Sequence, residues 1–269
     1  MELQNQCRLY ADLAWMWPII SPPEEYVVET EQLCQALQEY SQIEVKTLLN
    51  LGCGGGHNDY TLKQHFAVTG VDLSESMLSL ARRLNPEITY LSGDIRYVRL
   101  GKMFDAVVLA DAITYMLTED DLRAAFATAF IHLKPGGVFF TFAEITRENL
   151  RQNNTEYSIH TRDDIEITFI ENVFDPNPID TTYQITFVYV VRREGQSEVS
   201  VNVDRHLGGL FSLQTWLRLL QGVGFAVEQI ALKGYDFPTF LCRKPCWWST
   251  QAELWQRKLR FRTPDWIIT

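Results

Sequence analysis

The chain has 269 residues, 46% of them hydrophobic and 22% charged, with 24 Lys+Arg against 34 Asp+Glu for a formal charge of −10. Such a composition belongs to a folded globular protein long enough to bury its own core, and it excludes disordered, collagen-like and disulfide-stapled chains. The acidic balance offers no positive field for nucleic acid or an anionic membrane, so the expected partner is a small molecule.

Three apolar runs read as buried strands, Val45 to Leu51, Ala67 to Leu73 and Phe104 to Ala110. Each leads into a helical pattern, and such alternation predicts a parallel sheet. Ser74 to Leu84 is expected as a helix with Ser74 as its N-cap, stopped by Asn85-Pro86. Thr118 to Leu133 is the next helix, with Glu119, Asp120 and Asp121 where the helix dipole favours acids. Lys134-Pro135-Gly136-Gly137 reads as a turn into a fourth strand, Val138 to Phe142. From Tyr157 to Leu207 the pattern becomes β-branched and alternating, with turn signals at Asp175-Pro176-Asn177-Pro178 and Glu194-Gly195-Gln196-Ser197. This predicts a small antiparallel sheet inserted into an α/β chain. Ser212 to Gln221 returns to helix and ends at Gly222 to Gly224, and Ala226 to Leu232 and Thr239 to Cys242 are the last expected core strands.

Leu48 to His57 runs a hydrophobic strand straight into four glycines and then a helical stretch. Glycines there permit positive φ and a close ligand approach, while the following helix offers free N–H groups. The spacing from Gly52 is G-x-G-x-G. A dinucleotide fingerprint, G-x-G-x-x-G, would need a glycine where His57 stands, which disfavours a nicotinamide oxidoreductase. Asp72 ends the next strand, 20 residues after Gly52, where a carboxylate can accept both hydroxyls of a ribose. Asp94 and Ile95, in Ser92-Gly93-Asp94-Ile95, could pair with an adenine amino group and pack on its ring.

In order, Asn50-Leu51-Gly52-Cys53-Gly54-Gly55-Gly56, Val71-Asp72-Leu73-Ser74-Glu75-Ser76-Met77-Leu78, Gly93-Asp94-Ile95, Phe104-Asp105-Ala106-Val107-Val108 and Leu133-Lys134-Pro135-Gly136-Gly137 resemble the successive motifs of the class I S-adenosylmethionine-dependent methyltransferases. The resemblance spans Val45 to Phe142 and, less closely, Leu210 to Phe225. It implies an α/β fold with a Rossmann-like seven-stranded methyltransferase sheet whose last strand is antiparallel. The implied cofactor is S-adenosyl-L-methionine, giving S-adenosyl-L-homocysteine as product. Gly52, Gly54 and Gly56 would surround its methionine moiety, Asp72 and Leu73 its ribose, and Asp94 and Ile95 its adenine. Met77 would line the adenosine pocket or pack in the core. Ala110 to Met116 would face the reacting methyl group. One position departs from the family pattern: Asn50 stands where an acid is more usual.

The N-terminal Tyr10 to Tyr26, the antiparallel insertion and His206 are similar to the arrangement in aminosugar and glycine-type N-methyltransferases. That likeness implies transfer to an amino or guanidino-type nitrogen of a small metabolite in a biosynthetic pathway. A small-molecule O-methyltransferase and a non-catalytic nucleotide-binding protein are the alternatives. An amine must lose its proton before it attacks, so Tyr115, Glu144 and His206 are the candidates to take or direct that proton. Tyr26, Asp111 and Tyr115 are the expected substrate contacts. Each has a structural alternative: Tyr115 packed, Glu144 in solvent, and His206 on a strand surface.

The expected organisation is an N-terminal helical lid (1–40), the cofactor-binding core (41–150), the antiparallel insertion over the substrate site (151–207), completion of the core (208–242) and a C-terminal helical tail (243–269). In that tail Thr250 and Glu253 form a capping box, and the Trp247-Trp248 pair could close the site or make a homodimer contact. Five cysteines without a C-x-x-C pair, and five histidines without a zinc spacing, predict no metal. No secretory signal or membrane-length apolar run is visible, so the expected location is cytoplasmic, with no membrane or nucleic-acid partner.

Overall fold

The computed structural model describes residues 7–233 and 235–246. The expected C-terminal helix with its tryptophan pair lies outside them, as does the start of the lid at residues 1–6. Before the sheet, short 3-10 turns lead to α1 (Trp17–Ile20) and α2 (Val27–Tyr40). Strand β1 (Thr47–Leu51) then alternates with α3 (His57–Leu62), β2 (Ala67–Asp72), α4 (Glu75–Leu84), β3 (Thr89–Ser92) and β4 (Phe104–Leu109). A 3-10 turn at Asp111–Tyr115, α5 (Glu119–His132) and β5 (Leu133–Phe142) follow. The central strands are buried almost throughout, and strands buried on both faces pair in parallel beneath crossover helices. β1 to β5 do so.

The chain then leaves this sheet for β6 (Asn154–Arg162), β7 (Ile165–Phe174), β8 (Thr182–Arg193) and β9 (Ser200–Gly209), an antiparallel meander. It returns through α6 (Leu213–Val223), β10 (Ala226–Leu232) and β11 (Tyr235–Arg243). β11 runs antiparallel between β5 and β10, giving the seven-stranded order β10-β11-β5-β4-β1-β2-β3. Fold class and insertion are as the sequence predicts. Side-chain caps set the helix starts: Ser74 accepts from the Met77 N–H, Thr118 from Asp121 and Ser212 from Thr215. Gly224, at φ 116°, closes α6.

Four local expectations are corrected. β3 is an additional strand with a single buried side chain, Tyr90, too short to show a period. Lys134 to Gly137 is part of β5, because Leu133 already pairs with Phe104 and the register slips before Ala106 meets Val138. The inserted sheet reaches Gly209 rather than stopping at Leu207. Residues 27–40 are not lid: α2 buries Leu33, Cys34 and Leu37 in the same core as β1 and α4. Ahead of α2, Leu9, Leu13, Met16 and Ile20 pack against Tyr183, Ile185, Phe187 and Tyr189 of β8, and burying such side chains contributes roughly 1.5–3 kcal/mol each.

Candidate functional site

Gly52, Gly54 and Gly56 all take left-handed φ, at 72°, 51° and 77°. A Cβ on Gly52 would lie 2.1 Å from the Ala112 methyl, and one on Gly56 would strike Asn85 and Tyr90. Space and backbone both demand glycine at these two positions. On Gly54 the only neighbour among the described residues would be the Met77 methyl at 3.5 Å, so among them this part of the loop is otherwise open. Trp17 lies along Gly55 and stacks on His57 at 5.7 Å between ring centroids. Its indole N–H is buried without a partner. His57 is buried in this stack, and desolvation lowers its pKa to about 4.

Beneath the loop, Asn50 donates to Asp59 at 2.8 Å and Tyr90 donates to the other Asp59 oxygen at 2.9 Å. Asn85 ties Tyr90 to the Gly56 carbonyl. A buried carboxylate from α3, Asp59, thus lies beside the uncharged Asn50. Burial raises Asp59 to about 6 despite these two bonds.

Asp72 accepts from the Gly54 N–H and the Ser74 N–H, both at 2.8 Å. Each oxygen keeps a lone pair toward the open loop. Burial raises its pKa, against the pull of those amides. Beside it Leu73 is 70% exposed, an apolar wall without cover. Met77 and Ile95 are buried, and Ala110 follows β4 and caps the Asp111–Tyr115 turn. Asp94 is gripped by Arg96, whose Nη2 lies 2.7 Å away and whose Nη1 reaches Asp121 at 2.6 Å. That bond lowers the Asp94 pKa. Cys53 is buried and its thiol pKa is raised by desolvation, so it is no nucleophile.

Opposite the loop, four side chains from three parts of the chain form a hydrogen-bonded line. Tyr10 meets Tyr115 at 2.8 Å, Tyr115 meets His206 Nδ1 at 2.8 Å, and His206 Nε2 meets Asp204 at 2.7 Å. A carboxylate only accepts, so His206 donates from Nε2, which leaves Nδ1 to accept the Tyr115 proton in the neutral ring. Tyr115 in turn accepts from Tyr10. His206 is 1% exposed, not on a strand surface. Burial opposes ionisation of Asp204, but the bonds from His206 and the Leu9 backbone prevail and lower its pKa. The backbone of Tyr10 is anchored separately at the start of α4, its carbonyl accepting from the Ser74 hydroxyl.

Asp111 and Glu144 are both exposed, yet enough protein surrounds each to raise its pKa by desolvation. They stand just past the C-terminal ends of the neighbouring parallel strands β4 and β5. Glu144 rises to about 7, with repulsion from Asp111, Glu171 and Glu156 adding to burial. Tyr26 bonds Ser21 and turns its ring edge toward His57. Burial raises it to about 12, with Asp111 adding a smaller push. The structure thus joins Tyr115 to His206 and sets Glu144 with Asp111, without bonding one pair to the other. Trp17, Asp204, Glu171 and the Tyr10 hydroxyl were not foreseen. For Asp204 a signal existed, since residues i and i+2 of a strand share a face.

Residues 48–137 match a protein-family profile described as a methyltransferase domain. A dTDP-3-amino-3,4,6-trideoxy-alpha-D-glucopyranose N,N-dimethyltransferase from Streptomyces venezuelae is 36% identical over 117 residues, 43% of this chain and 49% of that protein. A dTDP-4-amino-2,3,4,6-tetradeoxy-D-glucose N,N-dimethyltransferase from Saccharopolyspora spinosa is 39% identical over 97 residues, 35% of this chain and 39% of the relative. The matched segment spans half or less of each of these two relatives. Among solved structures, Streptomyces venezuelae DesVI superposes with a TM-score of 0.78 at 24% identity, covering 91% of this chain and 100% of that one. CalS10, an amino pentose methyltransferase from Micromonospora echinaspora solved with S-adenosylmethionine bound, gives 0.74 at 19%, covering 91% and 99%. The fold is therefore that of these methyltransferases.

Proposed function

We propose, from a chain that carries a methyltransferase domain, that it transfers the methyl group of S-adenosylmethionine to an amino nitrogen of a small metabolite. The observation that carries this reading is that Tyr10 bonds to both halves of the site. Its hydroxyl joins Tyr115, His206 and Asp204, and its backbone carbonyl accepts from Ser74, whose own N–H, like that of Gly54, donates to Asp72. Candidate chemistry and candidate cofactor cradle are thereby parts of one site. The residues fit the donor. The open face at Gly54 admits it, Asp72 has lone pairs for a ribose, Leu73 offers an apolar wall, and the orphaned Trp17 N–H needs an acceptor such as a carboxylate.

When bound, the donor supplies a methyl group already activated by a sulfonium. The protein's task is alignment, which can supply roughly 7–11 kcal/mol of such a barrier, and removal of a proton. An amine of pKa about 10 is free base in only about one molecule per thousand at pH 7, a deficit of roughly 4 kcal/mol. Glu144, at about 7, is matched to receive that proton near neutrality. Tyr115 donates a hydrogen bond to His206, accepts one from Tyr10, and retains a lone pair to orient an N–H of the acceptor. Asp111 attracts the ammonium form into the cleft. The N,N-dimethyltransferase names of the relatives and the acidic cleft both favour nitrogen over oxygen.

The test is isotope-labelled methyl transfer to a panel of amines, with product mass and NMR separating N- from O-methylation. Asp72→Ala should weaken S-adenosylhomocysteine binding by about 1–3 kcal/mol through loss of charged hydrogen bonds. Unchanged affinity by calorimetry would remove Asp72 from the cofactor site.

A further inference from the structure

The inserted sheet is apolar on both of its faces. The inner one, with Tyr183, Ile185, Phe187, Tyr189 and Val191 of β8, packs on the N-terminal segment. Alternate residues point the other way, and strand pairing aligns them in rows across β6, β7, β8 and β9. One outer row is Tyr157, Ile170, Val188 and Val203, and the next is Ile159, Thr168, Val190 and Val201. Tyr157 is 74% exposed and Ile159 and Val201 are 60% exposed, while Ile170, Val188, Val190 and Val203 keep part of their surface open.

An antiparallel sheet with one face in water alternates apolar with polar residues, and at their centre these strands do not. The alternation returns at both ends. There the outer rows are Thr155, Asn172, Thr186 and Arg205 on one side, and Thr161, Glu166 and Arg192 on the other. An apolar centre within a polar rim is how protein interfaces are built.

We propose that this outer face joins two copies of the chain, sheet on sheet, in a homodimer. Its area is sufficient. Four strands about 4.8 Å apart, each of nine residues or more, give a face of roughly 20 by 30 Å. Two such faces bury about 1,200 Å² together, where stable interfaces begin. The face is also self-complementary, as a two-fold contact requires. An axis along the strands, midway between β7 and β8, lays β7 over β8 of the other copy and keeps each row on its own counterpart. Ile170 then meets Val188 of the partner subunit, Tyr157 meets the partner's Val203, and Glu166 meets the partner's Arg192, with the two sheets within about 30° of alignment. Charge favours this face over others, because its rows carry Arg192 and Arg205 against Glu166, whereas the chain as a whole is at −10 and repels its own copies. The chain's own C-terminal residues set out from the opposite end of the core. Cys246 lies against Gln42 and Gly136, where β5 begins, whereas β6 follows the far end of β5.

Sedimentation of the full chain over a concentration series tests this, with circular dichroism and S-adenosylhomocysteine calorimetry to show that each variant is folded. The parent chain should sediment at twice its monomer mass in the micromolar range. Val188→Lys, and separately Val190→Glu, should raise the dimer dissociation constant about a hundredfold or more, as burying an unpaired charge requires, with the dichroism spectrum unchanged. Tyr157→Asp, at an edge position already in water in the single chain, should weaken the dimer in the same direction without putting folding at stake. A parent chain that stays monomeric up to about 100 µM would leave the face to the chain's own C-terminal residues or to an unlike partner. A dimer that all three variants leave intact would have its interface elsewhere. Either result overturns the inference.

Discussion

At Tyr115 the hydroxyl has both neighbours fixed, His206 Nδ1 and Tyr10, each at 2.8 Å, so its remaining lone pair has a defined direction. Tyr115→Phe keeps the ring and its packing but removes that acceptor and breaks the line. The expected loss is about 10²-fold in kcat, with S-adenosylhomocysteine affinity unaltered; a kcat within a factor of two of the parent enzyme would reduce Tyr115 to packing. Glu144 gives a prediction in pH. Its folded-state value is about 7, so the base form is gained as pH rises through 7, and kcat/KM should climb over that range. Glu144→Gln should abolish that limb, and a profile unchanged by the substitution would exclude Glu144 as the proton acceptor. The individual candidates were legible because residue type limits chemistry: a tyrosine and an acid after apolar strands, and a histidine in an alternating one. Their partners were less so. Asp204 and His206 share a strand face by spacing alone, but nothing local to Tyr10 says that it reaches a tyrosine 105 positions away.

Among elements, the glycine loop shows how a departure from pattern is absorbed. Asn50 carries no charge, and it donates to a buried carboxylate from α3, Asp59, which Tyr90 also satisfies. The strand–loop–helix order was readable from the glycines. The placing of that acid beside Asn50 was not, because it depends on the packing of two elements. Burial holds Asp59 at about 6, above an unfolded aspartate near 3.9. Between those values the folded state binds the extra proton, so stability falls as pH rises from about 4 to 6, by about 3 kcal/mol at most. Asp59→Asn should remove this part of the slope. Urea unfolding at pH 4.5 and 7 would show it as a smaller difference between the two pH values than in the parent chain. An identical difference would mean that Asp59 does not change its protonation on unfolding. The turn expected at Lys134 to Gly137 was misread for a related reason. Proline and glycine punctuate most chains, but here Lys134 pairs with Asp105 at 2.7 Å and Leu133 is already in register with Phe104, so tertiary pairing overrides the local signal.

On the scale of the whole molecule, the formal charge of −10 and the cleft act in the same direction. Acids spread over a surface attract a cation only weakly, whereas acids at the end of a cleft with low-dielectric walls focus the field on whatever enters. Asp111, Glu144 and Glu171 come from the α/β core and from the inserted sheet, and the N-terminal segment packs on that sheet through Leu9, Leu13 and Met16 while Tyr10 and Trp17 reach the core. The acidic total was plain from composition, but the placing of Asp111 and Glu144 past the ends of two paired strands depends on the register of β4 with β5. A cationic acceptor should therefore be drawn in by long-range attraction that added salt removes. Raising ionic strength from 0.01 to 1 M shortens the screening length from about 30 to about 3 Å, and kcat/KM for the amine should fall severalfold across that range. S-adenosylhomocysteine, with no net charge, should lose less than about twofold in affinity over the same series, since monopole attraction is what salt screens most. If kcat/KM stayed level or rose with salt while donor binding held, the carboxylates of the cleft would not be what captures the acceptor.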